Sequence, residues 1–366
     1  MQVRVQGSWS EVPAEAWDAL VGAGSPFLEH AFLWTLERTG CASPETGWTP
    51  RPVTVWDDQG RLVGGAPAWR KTHALGEFVY DQGWSEAARR AGIRYYPKLV
   101  VAAPFSPVTG ERLLRATPSV TEPLLAGIAA AAEDCAGIHV LFDTPAESQQ
   151  LAERGWFRRA QYQFHWKNEG YRTFDDFLST FRSDTRNQIR RERRALSQLA
   201  ITVETAPSPA LLDTLHGFYS RTAGQFGPWG HVHLSAAAFR ALGEVWGHRL
   251  QAVIARDGDQ VVGGALNVRK GDRLYGRYWG AAAEIRYLHF EVCYYQAIAW
   301  AIAEGISVFE PGHGGEHKYR RGFVPTLTWS NHALAEPRLH AALAAHTAAE
   351  VAAVEAEATA LAGQRR

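Results

Sequence analysis

The sequence has few cysteines and no net charge, and each scarcity removes a class of function. Cys41, Cys135 and Cys293 are the only cysteines among 366 residues, an odd number without metal-ligand spacing. That argues against a disulfide-framed scaffold or a cysteine zinc site and fits a reducing compartment. Lys plus Arg and Asp plus Glu number 38 each, so no global field draws the chain to nucleic acid or membrane. Any such attraction has to come from a local patch. No window reaches the roughly 18 consecutive apolar residues that a membrane helix needs. Residues 1–18 carry Arg4, Glu11, Glu15 and Asp18 and no apolar run. Neither a membrane span nor a signal peptide is therefore expected, and the cytoplasm is the expected location. The Walker A loop, the nucleophile elbow and the Rossmann glycine fingerprint are all missing.

What is present is an ordinary globular composition, 46% hydrophobic and 21% charged, long enough for two domains. Residues 12–40 show helical spacing, and residues 51–56 and 62–69 alternate as strands around the turn at 57–60. Residues 78–80 and 99–102 read as further strands, 121–136 as a helix, 138–142 as a buried strand, 145–154 as a helix and 157–166 as a strand. The second half repeats the plan. Helices are predicted at 207–224 and 235–248, a hairpin at 250–269 turning on Asp257-Gly258-Asp259, and a strand at 274–279. A helix at 289–304 and strands at 306–310 and 326–332 follow. Val63-Gly64-Gly65-Ala66 and Val262-Gly263-Gly264-Ala265 are each followed by Arg-Lys four residues on, as an internal duplication would leave them. The expected fold is α/β (α+β): two tandem domains with mixed central sheets flanked by helices. The expected boundaries are 1–166, 167–335 and an Ala-rich terminal helix at 336–366.

Chemistry concentrates in the second half. Pro311-Gly312-His313-Gly314-Gly315-Glu316-His317-Lys318 follows a buried strand, where ligands of open α/β sheets commonly bind. Glu316 and His317 are candidate bases there, and Lys318 and Arg321 candidate anion holders. His313 and His317 are four apart, but the glycines argue against a helix and no third ligand is evident, so no metal is expected. Arg277, Tyr278 and Trp279 form a second cluster with His289, Glu291 and Tyr295, in which Glu291 and Tyr295 share a helical face. Arg182, Arg186, Arg190 and Arg193 form a basic stripe suited to phosphate. In the first half, Tyr95, Tyr96 and Lys98 form a candidate acceptor wall.

The chain resembles the FemAB-like predicted N-acyltransferases, a branch of the tandem GNAT superfamily associated with peptidoglycan biosynthesis or recognition. The residues that carry the likeness include Ser25-Pro26-Phe27-Leu28, Arg94-Tyr95-Tyr96-Pro97-Lys98 and Leu274-Tyr275-Gly276-Arg277-Tyr278-Trp279-Gly280. Leu288-His289-Phe290-Glu291 and Gly315-Glu316-His317-Lys318 with Arg321-Gly322-Phe323 complete the pattern. The resemblance implies two GNAT-like domains and acyl transfer to the amine of a small molecule or peptide. It implies no bound cofactor: the acyl donor is a co-substrate, either aminoacyl-tRNA or acyl-CoA. Ordinary GNAT enzymes hold the acetyl-CoA pyrophosphate on a glycine-rich loop after the fourth strand. The corresponding connection here, Ala281 to Tyr287, has no glycine, whereas the arginine stripe suits a tRNA acceptor end or a nucleotide-linked substrate. Glu291, Glu316 and His317 are then the candidate bases, and Tyr278 or Tyr295 the acid for the leaving group. Arg277, Trp279, His289, Lys318 and Arg321 are the expected substrate contacts. Two rivals remain: an acyl-CoA-dependent N-acetyltransferase with a degenerate loop, and a non-catalytic nucleic-acid or cell-wall binding module.

Overall fold

In this computed structural model the described residues are 1–225 and 231–363, with Glu316 described by its backbone alone. The chain forms two units. One comprises Met1–Tyr162 and Leu327–Ala358, and the other Gln163–Thr326 and the residues from Thr359 on. Fifteen strands occur among the described residues. They are β1 (Gln2–Val5), β2 (Trp48–Pro50), β3 (Val53–Trp56), β4 (Leu62–Ala66), β5 (Ala68–Lys71), β6 (Lys98–Val101), β7 (Leu114–Arg115), β8 (Gly137–Asp143), β9 (Phe157–Lys167), β10 (Ala200–Thr205), β11 (Leu250–Asp257), β12 (Gln260–Lys270), β13 (Arg273–Ala281), β14 (Val308–Glu310) and β15 (Val324–Leu334).

In the first unit the strands run in the order β1-β3-β4-β7 and, separately, β2-β5-β6-β8-β15. Prolines cause the division. Pro52 separates β2 from β3 and Pro67 separates β4 from β5, because proline has no N–H to give a ladder. The strand read at 62–69 is therefore two strands. The helix read at 12–40 is also broken, into Ala14–Val21 and His30–Arg38, with Gly22 at φ 52° ending the first. Residues 78–80 form no strand: Phe78 and Tyr80 adopt φ of 61° and 55°, outside the β region. Val53, Val55, Leu99, Val101, Leu124, Ile128 and Val140 form the apolar core beneath helix Thr121–Ala131.

The second unit has the order β10-β11-β12-β13-β14, with the end of β9 antiparallel to β14. The β11–β12 hairpin turns at Gly258, whose φ of 56° suits a tight Asp-Gly turn. Helices Pro209–Gly224 and Ala236–Trp246 begin on the side-chain caps of Ser208 and Ser235. The first of these lies so close to β13 that a Cβ on Gly280 would come within 2.2 Å of the Phe218 carbonyl oxygen. Val253, Ala255, Ala265, Leu288 and Val292 pack together between sheet and helix. The two halves share a plan: a hairpin, a third antiparallel strand, a helix, then a strand parallel to the third. The two Val-Gly-Gly-Ala segments occupy matching hairpin strands, β4 and β12.

Candidate active site

The site arises where β13 and β14 part. They pair in parallel only from Arg273–Tyr275 against Val308–Glu310. Pro311 and Gly312 then carry the chain away, Gly312 at φ 90°. On its other edge β13 pairs with β12 through a bulge, since Leu266 faces Tyr278 while Asn267 faces Gly276. Arg277 is the extra residue, and bulges of this kind re-aim side chains beside active sites. At Gly276 a Cβ would meet Asn267, Phe309 and Pro311 at 3.2 Å each, so glycine permits the close convergence at the apex. A small cavity of about 60 Å³ remains in the wedge, bordered by Gly276, Arg277, Trp279, His289, Cys293 and Tyr294.

The glycine loop folds back over this wedge. Gly314, Gly315 and Gly322 have φ of 72°, 90° and 86°, a region that other residues enter only with strain. A 3-10 turn, Glu316–Arg321, brings Lys318 inside with 3% exposure. Its Nζ donates to the carbonyl oxygens of Gly312 at 2.7 Å and His313 at 3.4 Å. Burial drives the Lys318 pKa down from 10.5 to about 7; the nearby Cys293 thiol opposes this and Arg277 adds to it. The result is an amine that is substantially unprotonated near neutrality. The side chain of Glu316 lies outside the described residues.

The aromatic walls are equally defined. The His289 ring packs 4.6 Å from Trp279 and 5.7 Å from His317. Burial lowers the His289 pKa to about 3, helped by His317, Lys318 and Arg321, so the ring is neutral. His317 Nε2 and the Tyr294 hydroxyl share a hydrogen bond of 3.0 Å. Burial, with Lys318 and Arg321, also lowers the His317 pKa.

Other residues singled out from the sequence are placed differently. The Tyr295 hydroxyl donates to Glu192 and accepts from Arg321 Nε at 2.9 Å. Arg321 Nη2 donates to Glu192 at 2.8 Å, and its guanidinium carbon lies 3.4 Å from the Phe290 ring centre. Arg321 and Tyr295 thus close a buried network around Glu192. Within Arg190-Arg191-Glu192-Arg193-Arg194 the Glu192 carboxylate reads as one charge of a solvated run; its position three residues after Ile189 is the signal that it turns inward. Tyr278 also borders the wedge, with its ring 5.2 Å from Tyr219 and 4.8 Å from Phe239. Arg277 Nη1 donates to the Gly276 carbonyl at 2.9 Å.

The arginine stripe is not one uniform exposed face. Arg182 precedes helix Ser183–Arg194, and Arg186 donates to the Phe181 carbonyl at 3.2 Å. Arg190 is exposed, while Arg193 turns inward to Glu291 at 3.2 Å. Glu291 opens a π turn, Glu291–Tyr295, within the helical run that the sequence reads as uniform. Such turns recur at functional sites.

In the first unit, Lys98 is fully buried, donating to Glu77 at 2.7 Å and to Asp81, and Tyr95 donates to Asp81 at 2.6 Å. Tyr96 packs edge-on against Tyr95 at 5.1 Å. Tyr95 and Lys98 are thereby committed to an internal charge network. In this unit the region after β6 is filled by its own chain, with Arg112 donating to the Leu141, Gly110 and Val108 carbonyls. Among the described residues, no three His, Cys, Asp or Glu side chains converge as metal ligands would, and no helix is long and apolar enough to cross a membrane.

Comparison with known proteins places this geometry. The FemAB-like family, described as peptidoglycan biosynthesis/recognition, matches residues 8–365. The crystal structure of FemX is similar at TM-score 0.55 and 12% identity, covering 94% of this chain and 100% of that one. A tandem GNAT protein from the clavulanic acid biosynthesis pathway is similar at TM-score 0.50 and 11% identity, covering 92% and 99%. L-PGS from Bacillus licheniformis is similar at TM-score 0.50 and 11% identity, covering 91% and 96%. At these identities the structural likenesses establish the tandem fold. No match was found among curated protein sequences. With the family matched over nearly its whole length, the chain belongs to the FemAB-like family and is an acyltransferase.

Proposed function

We propose that the wedge between β13 and β14 is where an acyl group passes to an acceptor amine, and that Lys318 takes the proton. The observation that carries this reading is the buried Lys318 amine, held on the Gly312 and His313 carbonyls just after β14, with its pKa lowered to about 7. Beyond Tyr275, β13 has no partner on its β14 side among the described strands, so backbone groups near Trp279 and Gly280 are available to polarise an acyl carbonyl. The acceptor nitrogen bonds to the carbonyl carbon, and the bond from that carbon to the donor oxygen breaks. The nitrogen's proton goes to Lys318 Nζ, and the leaving oxygen takes a proton from the neutral His317–Tyr294 pair.

The donor that fits best is an aminoacyl ester of the tRNA class. In the connection after β13, the Ala282, Leu288 and Phe290 N–H groups donate to Val262, Ile285 and Tyr287 carbonyls. Arg221 donates to the Ala282 carbonyl. The connection, residues 281–287, also has no glycine to let a pyrophosphate approach its backbone closely. The family description fits an amine-bearing peptidoglycan precursor as acceptor. The test offers radiolabelled aminoacyl-tRNA or acetyl-CoA to the protein with a panel of amine-bearing precursors. Label passing from aminoacyl-tRNA supports the reading, whereas label passing from acetyl-CoA alone overturns the donor assignment. Lys318→Met should lose about a hundredfold in transfer, within the usual range for one acid–base group.

A further inference from the structure

The 3-10 turn Glu316–Arg321, which carries His317 and Lys318, has a left-handed glycine at each end. Gly315 and Gly322 hold φ of 90° and 86°, so the backbone there has a freedom that a side chain would remove. Much of the bonding around the turn stays inside its own segment. The N–H groups of Lys318, Gly322 and Phe323 donate to the Gly315, Tyr319 and Lys318 carbonyls. Lys318 Nζ donates to those of Gly312 and His313. These bonds shape the turn without anchoring it to the unit.

Arg321 supplies an anchor. Its Nη1 donates to the His317 carbonyl at 3.0 Å, and so grips the turn from within. Its Nη2 and Nε reach outward, to Glu192 Oε1 at 2.8 Å and to the Tyr295 hydroxyl at 2.9 Å. Glu192 accepts in addition from Gln188 Nε2 at 3.0 Å and from the Tyr295 hydroxyl. Glu192 is 2% exposed and Arg321 5%. One buried carboxylate thereby joins helix Ser183–Arg194, the π turn Glu291–Tyr295 and the 3-10 turn. A buried ion pair adds little to stability, because desolvation offsets its attraction. Its planar, directed N–H bonds do fix orientation.

We propose that Glu192 is a positioning residue for acyl transfer: by holding Arg321 it fixes the turn that sets His317 and Lys318 beside the wedge. This deepens the acyl-transfer reading and rests on it for what Lys318 does, not for how the turn is held.

The test replaces both members of the pair. Exchanging a buried ion pair for apolar side chains of similar volume is often neutral for stability, whereas removing one member is not. Glu192→Leu/Arg321→Met should therefore unfold in urea far closer to wild type than Glu192→Ala does, yet lose the anchor. Amide exchange over residues 315–322 should quicken at least about tenfold. Transfer should fall in kcat by about tenfold to a hundredfold, with KM within about twofold. Lys318 gives a readout that needs no substrate. It is one of five lysines, so NMR of isotope-labelled lysine follows its titration, assigned by the signal lost in Lys318→Met. The midpoint, near 7 in wild type, should rise by at least about one unit in the double variant as water reaches the amine. Cys293, Arg277, His289, His313 and His317 surround that amine, and the variant leaves all five in place. Glu192→Gln, which keeps one acceptor oxygen, should change exchange and midpoint in the same direction by less. Wild-type exchange with an unmoved midpoint in the double variant overturns the proposal, as does the same result in Glu192→Gln should the double variant not fold. So does a rise in KM alone, which would assign Arg321 to substrate. A wild-type midpoint near 10.5 would remove Lys318 as the base, and the exchange rates would then decide the clamp by themselves.

Discussion

Lys318 makes a prediction in which stability and activity move in opposite directions. The residue is 3% exposed, and burial brings its pKa from 10.5 to about 7. At about 1.4 kcal/mol per tenfold change, holding this group inside costs the fold up to about 5 kcal/mol at neutral pH. Lys318→Met keeps the length of the side chain and removes the ionisable group. It also removes the two hydrogen bonds to the Gly312 and His313 carbonyls, a loss of about 1–3 kcal/mol. The expected net effect at pH 7 is a gain of about 2–4 kcal/mol, together with loss of transfer. The pH dependence follows from the direction of the shift. Between about pH 7 and 10.5 the unfolded chain holds a proton on Lys318 that the folded chain has lost, so the Lys318 contribution to stability becomes more favourable as pH rises. Urea unfolding at pH 7, 8 and 9, in wild type and variant, isolates that contribution. A variant less stable than wild type at pH 7 and with the same pH slope would refute the buried neutral amine and with it the proposed base.

Other outcomes are equally specific. Burial and Glu147 raise the Asp143 pKa from 3.8 to about 8, so its contribution to stability is present below pH 3.8 and lost as pH rises through about 8. Asp143→Asn should therefore become progressively more stable relative to wild type between pH 4 and 9, as thermal melts will show. Gly280→Ala drives a methyl group into the Phe218 backbone and should cost about 3 kcal/mol in urea unfolding, with parallel loss of transfer. Glu192→Ala strands the buried Arg321 guanidinium and should cost about 3–5 kcal/mol, read by the same unfolding assay. Tyr295→Phe should cost about 1 kcal/mol and retain transfer, because its hydroxyl serves Glu192 and Arg321; complete loss of transfer with normal stability would show it acting on substrate.

The hairpins and the repeated plan were legible in the sequence because alternation and Asp-Gly turns are local signals. The Val-Gly-Gly-Ala segments, in matching strands β4 and β12, show the duplication in both sequence and fold. Short strands β1 and β10 leave no such signal, since their largely exposed residues give no apolar alternation. Residues 78–80 read as a strand from their aromatic and β-branched side chains, but positive φ at Phe78 and Tyr80 overrode that propensity. The π turn was invisible because it changes hydrogen-bond spacing without changing residue type.

At the candidate site, glycine content and position after β14 single out Gly312 to Lys318 in the sequence, and the structure packs His317 of that segment against His289 and Tyr294. The sequence does not separate the roles. Lys318 read as an anion holder, yet burial makes it the candidate base. Arg321 reads as a substrate contact and Tyr295 as the acid for the leaving group, yet both satisfy the buried Glu192 carboxylate. Partnership between residues 129 positions apart, as for Arg321 and Glu192, is set by tertiary packing and leaves no local trace.

The most direct test of the central claim is transfer from aminoacyl-tRNA to an amine-bearing peptidoglycan precursor, followed by product mass across pH 5.5 to 9. The account predicts an amide product whose rate rises with pH to a plateau with a midpoint near 7, and little product with Lys318→Met, which remains folded. Undiminished product from Lys318→Met, with the same pH profile, would contradict it.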